Sequence, residues 1–221
     1  MNCVITAGPT YESLDQVRRL TNFSTGRLGA ELADFLYSNG HETTLLLGAQ
    51  ATYRSANQLG NVREYGTTED LRSQLLSFSQ HPVDVIFHAA AVSDFRFGKV
   101  WLRSETGDLT EVKSGKITTR AGTLMAELLP TTKIIASLRE AYPSTRIIGW
   151  KYEVEGGRET ILALAKRQLN ECRTDFCVVN GPAYGAGFGL VSSAGECRHL
   201  ASKAELFPAL EQAARKDSGD V

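Results

Sequence analysis

Two sets of residues in this sequence have the types and spacing to handle a negatively charged group. The first lies in residues 21–36, TNFSTGRLGAELADFL, where small polar residues lead into Gly26 and Gly29 at the mouth of a helix. A glycine-flanked helix start exposes unpaired backbone N–H groups at the positive end of the helix dipole, which is what holding a phosphate requires. The same glycines would equally serve a capped helix that packs closely, and a single Gly-rich turn does not choose between the two. The second set is cationic. Residues 95–122 carry Lys99, Lys113, Lys116 and Arg120 among glycines and short alternating β-like pieces. Such an excursion inside an α/β chain is a functional arm or a solvated hairpin. As an arm it could bring positive charge over a phosphate.

The elements that must position these residues follow from periodicity. Apolar residues at Leu28, Leu32, Ala33, Phe35 and Leu36 keep helical spacing, and Asn39-Gly40 stops the helix. Residues 3–7, 42–47, 61–65, 83–90, 146–150 and 176–179 read as strands. Helices are expected over 70–78, capped by Thr67-Thr68-Glu69, over about 158–171, and over 204–215. The strands are apolar throughout rather than alternating, which favours a parallel sheet covered on both sides. The expected fold is α/β and Rossmann-like: a mostly parallel sheet with helices on both faces, plus an extended β arm over 95–122, in a single domain spanning 1–221. Ligands bind such sheets beyond the carboxyl ends of the strands. The residues to watch are therefore Gly8, Thr10, Ala91 to Asp94, Lys151 and Asn180.

Composition narrows the function. The chain has 221 residues, is 42% hydrophobic and 22% charged, and carries a net charge of −1 from 24 basic and 25 acidic residues. That balance argues against nucleic-acid or membrane-surface binding while allowing a local basic pocket. No apolar run reaches the roughly 18 residues of a membrane span, and the N-terminus does not read as a signal peptide. A cytoplasmic location is expected. Cys3, Cys172, Cys177 and Cys197 form no CxxC pair, so reduced thiols are expected, the first three in or near the core, with no metal site.

ITAGPTYESLDQVRRLTNFSTGRLG resembles the signature of the phosphopantothenoylcysteine synthetases, ligases of coenzyme A biosynthesis. The matching residues are Gly8, Glu12, Asp15, Val17-Arg18, Asn22, Ser24, Thr25 and Gly26. AAAVSDF (89–95), Lys116-Ile117, LPTTKIIASL (129–138), IIGWKYEVE and FCVVN (176–180) are similar, in order, to further blocks of that family. The resemblance covers about residues 4–203. It implies a reaction in which CTP or ATP, CTP favoured, activates the carboxylate of 4′-phosphopantothenate as an acyl-nucleotide. The cysteine amine then forms the amide.

Roles follow by the same resemblance. Lys116 would neutralise charge in the transition state, and Asn22 would orient the acyl-nucleotide. Gly8, Ser24, Thr25, Gly26, Ala91, Asp94, Thr132, Lys133, Ile134, Trp150 and Lys151 would bind the nucleotide, with the backbone around 132–134 reading the base. Arg18, Ala90 and Asn180 join Asn22 on the substrate side. Mg²⁺ would be held mostly by phosphates and water. No flavin is expected, and the length places a phosphopantothenoylcysteine decarboxylase on a separate chain. A homodimer is implied, and 101–113 reads as an exposed strand pair seeking a partner. His88 reads as a core histidine and Trp150 as packing or a stacking platform.

Two departures from the family pattern stand out. Pro9 replaces a glycine and removes one backbone donor from the first turn. Thr118-Thr119 stand where relatives carry further lysines. They motivate one alternative, a non-catalytic nucleotide-binding relative. A nicotinamide-dependent oxidoreductase is the other. Against it, GxGxxG is absent after the first strand and no acidic residue ends the second.

Overall fold

A computed structural model of the chain describes residues 1–53, 61–112, 117 and 122–215. Strands β1 (Asn2–Ala7), β4 (Glu42–Gly48), β5 (Val62–Tyr65), β6 (Val85–His88), β10 (Arg146–Tyr152) and β11 (Phe176–Asn180) lie parallel in one sheet. All four residues of β6, and all but the first residue of β1 and of β4, are buried. This is why these strands read as unbroken apolar runs.

The sheet has two more strands than the sequence indicated. β12 (Phe188–Ser192) and β13 (Cys197–Leu200) add antiparallel to β11, giving the order β13-β12-β11-β10-β6-β1-β4-β5. Three of the four β13 residues are exposed, so the edge strand carries no apolar signal. Residues 9–20 are largely polar and carry no strand periodicity. They fold back as a short hairpin of β2 (Tyr11–Ser13) and β3 (Arg19–Thr21).

Helices α1 (Arg27–Ser38) and α5 (Lys203–Ala214) cover one face of the sheet, packing on Ile5, Leu45, Phe87 and Ile148. Helices α2 (Thr68–Ser77), α3 (Ile134–Ala141) and α4 (Arg158–Cys172) cover the other, on Val4, Ile86, Ile147, Cys177 and Val179. The α2 start is capped as expected: Thr67 Oγ1 accepts the Asp70 N–H at 3.2 Å.

Gly29 decides how closely α1 approaches the sheet. A Cβ there would stand 2.6 Å from Ala7 Cβ and 3.2 Å from the Thr6 carbonyl. Gly26, at φ 76°, is the α1 N-cap and offers no side-chain bond. Of the two roles open to these glycines, close packing is the one Gly29 fills.

The arm is a three-stranded antiparallel sheet of β8 (Leu109–Glu111), β7 (Phe95–Arg103) and β9 (Thr123–Pro130). It therefore runs past the expected boundary at 122 to Pro130. Most β9 side chains are exposed, so β9 lacks the alternation that marks a half-buried strand.

Candidate functional site

Strand order reverses between β1 and β6. From β1 the chain moves through α1 to β4 and β5, whereas β6, β10 and β11 run out the other way. The carboxyl ends of β1 and β6 thus flank the crevice where ligands bind such sheets. The backbone here is stitched tightly. Ala91 N–H donates to the Gly8 carbonyl at 3.0 Å and Thr10 N–H to the Ala91 carbonyl at 3.1 Å. Gly8 takes φ 84°, which favours glycine, and Tyr65 Oη donates to its carbonyl at 2.8 Å. The Thr10 N–H, a donor that the first turn could offer a phosphate, is already paired within the protein.

Beyond the ends of β6 and β10 lies a cavity of about 190 Å³. Its floor includes His88, Ala90 and Val92. One wall is the start of α3 with Thr131–Ile135, and the other is the face of α4 with Leu164, Arg167, Gln168, Glu171 and Cys172. Asp94, Trp150 and Lys151 complete it. The α3 N-cap, Lys133, contributes no side-chain cap. The Ala136 N–H donates to the Lys133 carbonyl at 3.1 Å, which leaves the Ile134 and Ile135 amides as the donors this helix start could offer a ligand. Three cations, Lys133, Lys151 and Arg167, face two carboxylates, Asp94 and Glu171. Arg167 and Glu171 approach only to 4.0 Å on the exposed side of α4, a weak pair. A floor of buried His88 and half-buried Ala90 and Val92, under a rim with surplus positive charge, has the character to take a flat ring carrying an anionic tail.

The cavity collects Ala90, Asp94, Thr132, Lys133, Ile134, Trp150 and Lys151 from the residues singled out in the sequence. It does not include Gly8, Ser24, Thr25, Gly26, Ala91, Arg18, Asn22 or Asn180. Asn22 is one bond away: its Nδ2 donates to the carbonyls of Val92 at 3.1 Å and Ala91 at 3.3 Å. Thr25 Oγ1 accepts the Arg27 N–H at 3.3 Å, which occupies one of the first donors of α1. Asn180 ends β11 opposite Tyr152, with its Oδ1 buried and unpaired. Arg18 is engaged by Asp15 and by the backbone of Ile117. Lys116, Lys113 and Arg120 lie outside the described residues.

Trp150 sits between Gly149 and Lys151, and its ring packs with the α1 and α5 core. Strand alternation turns it to the face opposite Gly149, so packing is the role it fills.

The α4 wall was not anticipated, although Leu164, Arg167, Gln168, Glu171 and Cys172 fall at spacings of three and four, one face of a helix. Gln168 reaches the cavity because β10 has no side chain at Gly149, where a Cβ would meet Gln168 Nε2 at 2.3 Å. That amide donates to Cys177 Sγ at 3.4 Å. The cysteines are free, with Cys3, Cys172 and Cys177 buried and Cys197 exposed. Burial pushes the Cys177 thiol up to about 12 and raises Cys172 as well. Neither is an activated nucleophile.

A mostly parallel sheet with helices on both faces defines the chain as a Rossmann-like α/β protein, with its cavity beyond the ends of β6 and β10. Residues 1–214 match the family described as the DNA/pantothenate metabolism flavoprotein C-terminal domain, and the chain belongs to that family. It is 31% identical over 178 residues to the coenzyme A biosynthesis bifunctional protein CoaBC of Thermococcus kodakarensis, covering 80% of this chain and 40% of that protein. It is 32% identical over 187 residues to a cysteine/cysteine sulfinic acid decarboxylase of an unknown prokaryotic organism, covering 84% of this chain and 47% of that one. The chain thus spans less than half the length of these curated relatives. The crystal structure of the DNA/pantothenate metabolism flavoprotein from Streptococcus pneumoniae superposes with a TM-score of 0.83 at 25% identity, covering 96% of this chain and 97% of that one.

Proposed function

We propose that this chain joins 4′-phosphopantothenate to cysteine, using CTP in preference to ATP. The observation that carries this reading is the family match across 1–214 together with a cationic, partly apolar cavity at the strand ends. The same match favours a ligase over a nicotinamide-dependent oxidoreductase. The name of the Thermococcus relative, a coenzyme A biosynthesis protein, supports the choice of substrates.

In the proposed reaction a carboxylate oxygen of phosphopantothenate attacks the α-phosphorus of the nucleotide, and pyrophosphate leaves. The amine of cysteine then attacks the acyl carbon and loses a proton, and the nucleoside monophosphate departs with the C–O electron pair. Two anions must approach in the first step, so positive charge placed in advance lowers the barrier. Lys133 and Lys151 line the cavity, and Lys116 would come from the arm. In the second step Asn22, anchored to the 91–92 backbone, would hold the acyl-nucleotide.

Mg²⁺ fits this donor set only loosely. Among the described residues no three His, Cys, Asp or Glu side chains gather as a cage, and two carboxylates line the cavity. The ion would be carried by phosphates and water, spreading the pyrophosphate charge.

The same reading makes the protein a cytoplasmic homodimer. Among the described residues no helix is long and apolar enough to cross a membrane. Phe95, Leu109, Met125 and Leu128 stand exposed on the arm, an apolar surface suited to a second copy. Light scattering at micromolar concentration checks this, and a monomer mass would contradict it.

Pyrophosphate release tests the activity. Purified protein with Mg²⁺, 4′-phosphopantothenate and cysteine should release pyrophosphate, faster with CTP than with ATP. No release with either nucleotide would leave a non-catalytic nucleotide-binding relative as the better reading.

A further inference from the structure

His88 ends β6 with 6% of its surface exposed, and it borders the cavity. Read from sequence it is a core histidine, and its Nδ1 behaves as one, 3.0 Å from Thr6 Oγ1 on the neighbouring strand. The hydroxyl of Thr6 decides what the other ring nitrogen does. Thr6 Oγ1 already accepts the Ala90 N–H at 3.1 Å. Its own proton has one acceptor in reach among the described residues, His88 Nδ1. If the Thr6 hydroxyl donates to Nδ1, a neutral imidazole, which carries a single N–H, holds its proton on Nε2. No described residue accepts from Nε2. Burial lowers the pKa of the ring to about 4, so it remains neutral at physiological pH.

The surroundings say what this donor meets. On β10 the residue in register with His88 is Gly149, which has no side chain to cover the ring. The cavity beside it is walled by Ala90, Val92, Ile134 and Ile135, while the cations stand at its mouth. A volume of about 190 Å³ is below the roughly 300–1,000 Å³ of whole-ligand pockets. It takes one ring and leaves a charged tail at the rim. Ser93 Oγ and Trp150 Nε1 also lack partners, but both are fully covered, whereas His88 lines the cavity and its Nε2 has no partner among the described residues.

We propose that His88 is a specificity-determining residue whose Nε2–H donates a hydrogen bond to a ring nitrogen or carbonyl oxygen of the bound nucleobase. This rests on the reading of the cavity as the nucleotide site.

The test compares native protein with His88→Phe by titration calorimetry, using CTP, ATP and, as a ligand without a base, inorganic tripolyphosphate. The expected result is a loss of about tenfold in affinity for the preferred nucleotide, the size of one buried hydrogen bond, with tripolyphosphate binding unchanged. In the pyrophosphate assay KM for the nucleotide should rise by a similar factor while kcat stays within about twofold. Unchanged nucleotide affinity in the variant would overturn the role of His88 and leave the site assignment standing. Equal losses for nucleotide and tripolyphosphate would also overturn it, because the contact would not be to the base. Failure of native protein to bind either nucleotide would overturn both.

A second measurement does not depend on the variant folding. In native protein labelled with ¹⁵N-histidine, His88 should appear as the Nε2–H tautomer, and that proton should move downfield with nucleotide but not with tripolyphosphate. The opposite tautomer, or an unmoved Nε2–H on saturation with nucleotide, would sink the inference.

Discussion

Arg18 donates from Nη2 to the Ile117 carbonyl at 2.6 Å, and Asp15, paired with that same arginine, accepts the Ile117 N–H at 3.2 Å. Both backbone groups of one arm residue are therefore gripped by an ion pair from the turn between β2 and β3. The grip is pre-formed. Asp15 Oδ1 takes the N–H groups of Val17 at 2.9 Å and Arg18 at 2.8 Å, while Oδ2 takes Arg18 Nη2 at 2.6 Å. Burial works to raise the Asp15 pKa, but the bonds from Arg18, Val17 and Ile117 outweigh it and hold the carboxyl below the usual range. Ile117 is buried at 5% exposure and directly follows Lys116 in sequence. Arg18, expected as a substrate ligand, holds the arm in this structure.

Asp15→Asn keeps the shape of the side chain and removes the charge that organises the grip. Small displacements of reacting groups are costly, so kcat should fall roughly ten- to a hundredfold. KM for the nucleotide should change little, because neither residue lines the cavity. Steady-state pyrophosphate release separates the two constants, and an unaltered kcat would argue that the pair serves only the local turn.

On the proposed ligase reading, Lys116→Gln should fold normally and lose turnover by roughly a hundredfold or more, because its charge would act on the developing transition state rather than on the ground state. Circular dichroism checks the fold, and single-turnover pyrophosphate release checks the chemistry. Retained kcat would remove this lysine from the mechanism.

His88 makes stability depend on pH in a definite direction. Its folded pKa of about 4 lies below the 6.5 of an ordinary histidine. Between these values the unfolded chain binds a proton that the folded protein refuses, so stability falls as pH drops from 6.5 towards 4. The full span amounts to about 3 kcal/mol. Urea denaturation at a series of pH values should show this slope in native protein and a shallower one in His88→Phe. Parallel slopes would mean that other groups govern acid sensitivity.

Gly29→Ala sets two effects against each other. Alanine gains about 1 kcal/mol of helix propensity over glycine. Its methyl, however, would stand 2.6 Å from Ala7 Cβ and 3.2 Å from the Thr6 carbonyl, atoms fixed by the sheet. Overpacking of this kind costs about 1–3 kcal/mol, so the balance should be a net loss of about 1 kcal/mol and a lower Tm. A stabilised variant would show that α1 can move away from β1 at little cost.

Much of this protein was legible in its sequence because its central strands are buried on both sides. Runs such as CVITA, TLLL and VIFH are apolar for that reason, and they announce the parallel sheet and the residues at its carboxyl edge. Asp94, Lys133 and Lys151, singled out in the sequence, line one cavity. What the sequence did not reveal are features with no periodic signal. β13 and β9 are exposed edge strands, β2 and β3 are three residues each, and the α4 wall looks like any helix face.

The sequence by itself thus determined the fold class and the family, since both reside in local apolar patterning and in motifs that survive linearly. Only the tertiary structure decided which polar groups remain available. Thr10 N–H is taken by Ala91, Arg18 by Asp15 and Ile117, and His88 Nδ1 by Thr6, whereas no described residue pairs with His88 Nε2. Hydrogen-bond capacity is divided among partners that are distant in sequence, 82 residues apart for Thr6 and His88. No local pattern can record that division.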